Sequence, residues 1–187
     1  MFTLRPATQD DVLALAHLHV EGWRASYGGL VDRDFLDSLN TKEKEKIWES
    51  RVSEGQINIL LAVNETGKSC GFASFGKLKT PPPGASPIRP LYSAEIYAIY
   101  ILPTYWQQGL GRQLMREAAL KLKDMKHKSL CLWVLEGNKR AISFYKALGG
   151  QRCGKKQVEI GGKPLPELCF GWRDTAPLLQ TASLKNG

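Results

Sequence analysis

The sequence predicts an α/β fold: a mixed, mostly antiparallel sheet of about seven strands with a central parallel pair and helices on both faces. Three observations lead there. Residues 94–102 are β-branched and aromatic, Pro103 ends any ladder by lacking an N–H, and from Leu110 the apolar residues take helical spacing after a glycine-bearing turn. Downstream, Leu130-Cys131-Leu132-Trp133-Val134 is apolar throughout, as in a strand buried on both faces. Strand, helix and strand then imply a parallel pair with a right-handed crossover. Finally, Asn64-Glu65-Thr66-Gly67-Lys68 and Gly161-Gly162-Lys163 are hairpin turns that pair their flanking strands antiparallel.

In chain order, residues 3–7 read as a short strand, and Asp10 or Asp11 can cap the helix that follows by accepting from its first free amides. Val12, Ala16, Val20, Trp23 and Tyr27 give that helix one apolar face, ending in two neighbouring aromatics. Gly28-Gly29 stops it, and residues 32–39 and 42–53 make two more helices. Strands at 57–63 and 69–77 form the first hairpin. Residues 80–90 hold five prolines and one glycine, a composition that forbids helix or central strand and makes a stiff, exposed connector beside a cleft. After the parallel unit, residues 138–148 form a short helix with Ala141, Ile142, Tyr145 and Leu148 on one face, ended by Gly149-Gly150. Strands at 151–160 and 164–172 close the fold. One domain therefore spans residues 1–173, and residues 174–187, without a clear period, read as a poorly ordered tail.

The chain has 187 residues, 43% hydrophobic and 24% charged, enough for one globular domain with a real core. No run approaches the ~18 consecutive apolar residues of a membrane span, and Met1-Phe2-Thr3-Leu4-Arg5 lacks a signal-peptide pattern. A cytoplasmic location without a membrane partner is expected. Cys70, Cys131, Cys153 and Cys169 contain no C-x-x-C pair, and His17 and His19 lack a second ligand type at metal spacing. Buried reduced thiols and no metal are the expectation. The net charge of +8 admits nucleic acid, an anionic cofactor or a soluble surface. Lys121, Lys123, Lys126 and Lys128 lie on a helix whose other face carries Leu114, Ala118, Leu122 and Met125, the pattern of a solvated face. Without a recognition-helix motif or interleaved aromatics, no nucleic-acid partner is expected.

The turn before Leu110 points helix N-terminal amides outward, an anion site suited to phosphate or pyrophosphate, and glycines let that backbone approach a ligand. A glycine used only to bend the chain is the alternative. A dinucleotide fingerprint fails, because its third glycine would stand at Leu114 and no suitably spaced acidic residue follows. The lysine of a P-loop is also missing.

Two motifs decide between these readings: Trp106-Gln107-Gln108-Gly109-Leu110-Gly111, and Asn138-Lys139-Arg140-Ala141-Ile142-Ser143-Phe144-Tyr145-Lys146-Ala147-Leu148-Gly149. With the order of elements over residues 3–173, they make the chain resemble the GCN5-related N-acetyltransferase (GNAT) family. The departure is Trp106, where the family prefers arginine or glutamine; either Gln107 compensates or the register tolerates tryptophan. The resemblance implies an acetyl-CoA-dependent N-acetyltransferase in which a primary amine attacks directly within a ternary complex. By the same resemblance Glu95 is the general base, often through water, and Tyr145 protonates the departing thiolate. Backbone at Ile99, Tyr100 and Ile101, where the family's strand bulges and splays, polarises the thioester carbonyl. Gln107, Gln108, Gly109, Leu110, Gly111 and Arg112 surround the pyrophosphate, and Asn138 meets the pantetheine. Lys139 and Arg140 are further phosphate candidates.

Trp23 and Tyr27, with Glu21 nearby, mark a segment similar to small bacterial members, some of them polyamine acetyltransferases. An aromatic pair with a carboxylate can hold an amine by cation–π and charge contacts, or can simply pack the first helix on the sheet. A small, polyamine-like amine is the first expectation for the acceptor, and a protein N-terminus or lysine the second. The rival from another class is a non-catalytic acyl-CoA-binding sensor or interaction module on the same fold. A homodimer is compatible with the sequence.

Overall fold

The computed structural model describes residues 1–84 and 90–180. Seven strands form one sheet: β1 (Phe2–Pro6), β2 (Asn58–Asn64), β3 (Ser69–Lys77), β4 (Ala94–Ile101), β5 (Leu130–Leu135), β6 (Gln151–Ile160) and β7 (Lys163–Trp172). Their spatial order is β1-β2-β3-β4-β5-β7-β6. Every neighbouring pair is antiparallel except β4 and β5. The helices are α1 (Val12–Tyr27), α2 (Arg33–Ser38), α3 (Thr41–Glu54), α4 (Leu110–Asp124), α5 (Lys139–Ala147) and α6 (Ala176–Leu179).

Turn chemistry sets the hairpin registers. Asn64 Oδ1 accepts from the amides of Thr66 and Lys68 at 3.1 and 2.9 Å, and Gly67 takes a φ of 78° that a side chain resists. Between β6 and β7, Gly161 and Gly162 take φ values of 59° and 72°. Apolar periodicity then assigns each face of the sheet. Leu114, Ala118 and Leu122 of α4 pack fully buried against Phe75, Ile96 and Leu132. On the opposite face, Leu15 and Leu18 of α1 and Trp48 of α3 pack on Leu61 and Phe72. Each such side chain contributes about 1.5–3 kcal/mol through burial. Among the described residues no helix is long and apolar enough to cross a membrane.

Two expectations are corrected here. Asp11 stands at the N-cap of α1 but its side chain accepts from none of that helix's amides. Both its oxygens are engaged by Arg5, at 2.6 and 2.7 Å, and one also takes the Thr8 amide at 2.8 Å. A bidentate guanidinium from β1 is the stronger partner for a carboxylate, so Asp11 ties β1 to α1 and closes the capping box of the 3-10 turn at Gln9–Asp11 instead of capping α1. The expected tail also begins too early. Asp174 Oδ1 accepts from the Ala176 amide at 2.9 Å, α6 follows, and Leu178 is buried against the core under α4. A four-residue helix is too short for periodicity to reveal. Residues 181–187 of that tail, and residues 85–89 of the proline-rich connector, lie outside the described residues.

The central strands carry the feature that makes a site. Ser74 pairs with Ala98 and Phe75 with Ile96, leaving Tyr97 as an extra residue in β4, a β-bulge. Ala94 and Ile96 face α4, and beyond the bulge Ile99 and Ile101 do so, while Ala98 and Tyr100 face α1. Tyr97 thus resets the alternation. The parallel ladder to β5 runs only from Ala94–Leu130 to Ile96–Leu132. The bulge therefore precedes the 99–101 stretch where the sequence placed it, and the strands have already parted when Ile99 is reached.

Candidate active site

The parting of β4 from β5 opens a cavity of about 710 Å³, lined by residues of both faces of the sheet. Ile99, Tyr100 and Ile101 line it from β4, and Leu132, Val134 and Leu135 from β5. After β4 a short 3-10 turn, Pro103–Tyr105, leads to the α4 N-terminus. Gln107 adopts a φ of 61° and Gly109, the N-cap, a φ of 80°. Consecutive bends of this kind curl backbone amides into an anion-binding concavity. Among the described residues no side chain caps this end of α4. Its first amides are left for a ligand.

The two glycines of the turn act differently. A Cβ at Gly109 would meet nothing within 4 Å, so its need is conformational. At Gly111 a Cβ would lie 3.1 Å from Phe144 Cζ, so glycine there lets α5 approach α4. Arg112 and Gln107 line the cavity beside the turn. Gln108 does not, because its Nε2 donates to the Thr104 carbonyl at 2.7 Å; Leu110 is buried in the core, 1% exposed. Both can serve a ligand only through backbone. Arg140 is held over the Trp106 ring, its Cζ 3.1 Å from the ring centre.

From the next unit, Asn138 caps α5, its Oδ1 accepting from the Ala141 amide at 3.1 Å, and also lines the cavity. Tyr145 packs against Phe144, Phe170 and Trp172 on the α4 face. Burial holds its hydroxyl well above the usual phenol range. Across the gap, Tyr27 and Tyr100 bring their hydroxyls to 3.5 Å, and burial raises both.

On the α1 face, Glu95 is 6% exposed, with Oε2 accepting from the Lys79 and Thr80 amides at 2.9 and 2.8 Å. Trp133 Nε1 donates to the Thr80 carbonyl at 3.1 Å, so the start of the proline-rich connector is fastened to the site it was expected to flank. Trp23 and Tyr27 meet edge to face at 5.0 Å and both line the cavity. Beside them stands Glu167 of β7, whose carboxyl is raised chiefly by burial, with Lys156, 3.5 Å away, pulling it down and Glu95 pushing it further up. Glu167 and Lys156 escaped the sequence reading. Their signal lies only in register, Lys156 opposite Glu167 and Glu167 opposite Leu135, which no local pattern announces.

The model of the Acetyltransferase (GNAT) family matches residues 16–149. A Bacillus subtilis protein, the uncharacterized N-acetyltransferase YuaI, is 37% identical over 178 residues, covering 95% of this chain and 96% of its own. The chain belongs to the GNAT family. The peptidyl-lysine N-acetyltransferase YjaB of Salmonella typhimurium is 28% identical over 146 residues, 78% of this chain and 83% of that one. Among solved structures, the PaiA N-acetyltransferase of Thermoplasma acidophilum in complex with coenzyme A superposes with a TM-score of 0.66 at 22% identity, over 89% of this chain and 98% of its own.

As a GNAT acetyltransferase the protein uses acetyl-CoA as its acetyl donor, and the cavity fits that molecule. Uncapped amides at Gly109–Arg112 suit a pyrophosphate, and a strand edge freed beyond Ile96 suits an amide-bearing arm. The sequence-read residues Glu95, Ile99, Tyr100, Ile101, Gln107, Gly109, Gly111, Arg112, Asn138, Tyr145, Trp23 and Tyr27 share this one cavity, whereas the side chains of Gln108 and Leu110 stay outside it. Among the described residues no group of His, Cys, Asp and Glu is gathered for a metal ion.

Proposed function

We propose that this GNAT enzyme acetylates a small, polyamine-like primary amine by direct attack within a ternary complex. The observation that carries the reading is the charge division of the cavity. Arg112 and Arg140 line it at the α4 and α5 N-termini, while Glu95 and Glu167 line it near Trp23 and Tyr27, with Lys156 as the opposing cation there. An anionic donor and a cationic acceptor are thereby drawn to different faces.

In this reading the amine enters from the α1 face and Glu95, oriented by the two amides on Oε2, takes its proton directly or through water. Backbone amides of the freed β4 edge polarise the thioester carbonyl. Tyr145 donates to the departing sulfur. Burial raises its hydroxyl, which therefore stays protonated and can act as the proton source for the thiolate. The four cysteines take no part.

The test measures CoA release with diamines, monoamines, lysine peptides and peptide N-termini. The reading expects the highest kcat/KM with a diamine or polyamine. Preference for lysine peptides would favour protein acetylation, the second reading, which the similarity to YjaB supports. Tight acetyl-CoA binding without turnover on any amine would leave the sensor role.

A further inference from the structure

We infer that Trp106 and Arg140 act together as a cationic clamp on the pyrophosphate of coenzyme A, Arg140 as the ligand and Trp106 as its positioning residue. This rests on acetyl-CoA being the donor and extends that reading to a specific pair.

Trp106 is the position at which the turn departs from the usual pattern. The residue is held at backbone and ring: its backbone amide donates to the Pro103 carbonyl at 3.1 Å, and its indole Nε1 donates to the Ile101 carbonyl at 2.7 Å. The ring is therefore a rigid plate between the end of β4 and the curled turn. Arg140, in the first turn of α5, lies flat on that plate, its Cζ 3.1 Å from the ring centre. Partial desolvation lowers its pKa, yet a guanidinium remains charged.

No carboxylate among the described residues pairs with Arg140, and no described acceptor takes its N–H groups. Exposed and paired with no described carboxylate, its guanidinium is open to an anionic ligand. It lines the same cavity as Gln107, Gly109 and Arg112, at the end where α4 leaves its amides free. Five donors in a fixed plane match two phosphate oxygens bidentately, and stacking preserves that plane without consuming a donor. A pyrophosphate carries two charges, and Arg112 and Arg140 supply two. The side chain that the turn lacks is thus provided from the next unit.

The experiment measures binding of CoA and dephospho-CoA by calorimetry, and kcat and KM for acetyl-CoA, in wild type, Arg140→Ala, Arg140→Lys, Trp106→Ala, Trp106→Phe and the double alanine variant. Circular dichroism and melting curves establish that each is folded. Arg140→Ala is expected to weaken CoA about ten- to a hundredfold, raising KM with little change in kcat. Arg140→Lys restores only part of this, because an ammonium neither stacks nor binds bidentately. Trp106→Ala is expected to cost about three- to tenfold, and Trp106→Phe, which keeps a stacking face, less.

In the Arg140→Ala background, Trp106→Ala should have almost no further effect on affinity. Full additivity would overturn the positioning role. The same fold-loss with dephospho-CoA supports the pyrophosphate; a loss confined to CoA would overturn it in favour of the 3′-phosphate. Unchanged CoA affinity in Arg140→Ala would sink the clamp while leaving the donor intact. Failure of wild type to bind CoA at all would sink the donor reading instead.

Discussion

Glu95 joins a buried carboxylate to two backbone donors, and that arrangement separates the base role proposed for it from its structural one. Glu95→Gln retains an oxygen for the Lys79 and Thr80 amides, so the protein should fold while kcat falls about 10²–10⁴-fold. A Tyr145→Phe variant keeps the packing on Phe170 and Trp172 and loses only the hydroxyl. Its kcat should drop with acetyl-CoA affinity held, and steady-state CoA release checks both variants. Gly22 gives a structural counterpart. A Cβ there would come 2.6 Å from Tyr100 Cβ, so α1 can cross β4 only at a glycine. Gly22→Ala should therefore destabilise by about 1–3 kcal/mol through overpacking, although in a helix the change alone gains about 0.5–1 kcal/mol. Urea titration reads the sign. That Glu95 and Tyr145 line the cavity was legible because each sits at a fixed offset from a recognisable turn or helix cap. Glu167 was not, since its place in the site depends on which residues of β5 and β6 it opposes.

Among the elements, α1 shows how one helix serves both core and cavity. His19 stacks on Tyr100 at 5.5 Å between ring centres and touches Trp48 and Phe72, and its Nδ1 is buried without a partner among the described residues. Burial, then the charges of Lys44 and Arg51, push its pKa from 6.5 down to about 3. Above the ordinary value folded and unfolded chains are both neutral here. As pH falls from 6.5 toward 3 the unfolded chain takes a proton that the folded chain refuses, so stability declines, by at most ~1.4 kcal/mol per unit. Asp11, held below the usual carboxylate range by Arg5, loses its contribution only under about pH 4. Urea midpoints between pH 4.5 and 6.5 should thus slope in wild type and flatten in His19→Phe. At α4, Gly109→Ala should fold with about 1–2 kcal/mol less stability, the cost of a left-handed alanine, while Gly111→Val should loosen α5 by striking Phe144. Helix and strand identities were readable from periodicity; the bulge was placed two residues late, at Ile99, because inserting Tyr97 shifts parity without altering composition.

For the whole molecule, the order of elements was legible because hairpin turns and a single crossover leave few topologies. The two-faced cavity was not, for it arises from where β4 and β5 stop pairing. The division of charge across it predicts that Glu167→Gln raises KM for a diamine more than for a monoamine, with acetyl-CoA KM unchanged, in the same CoA-release assay. That short ladder also divides the architecture. Strands β1–β4 form one antiparallel array and β5–β7 another, and three register pairs join them within the sheet. The backbone crosses between them through α4 and the exposed bend after it, where Lys126 takes a φ of 68°. A chain broken in that bend keeps every hairpin within one fragment or the other. Co-expressed pieces 1–126 and 127–187 should accordingly find each other and regain acetyl transfer, so that a covalent link between the two arrays is dispensable once both are present.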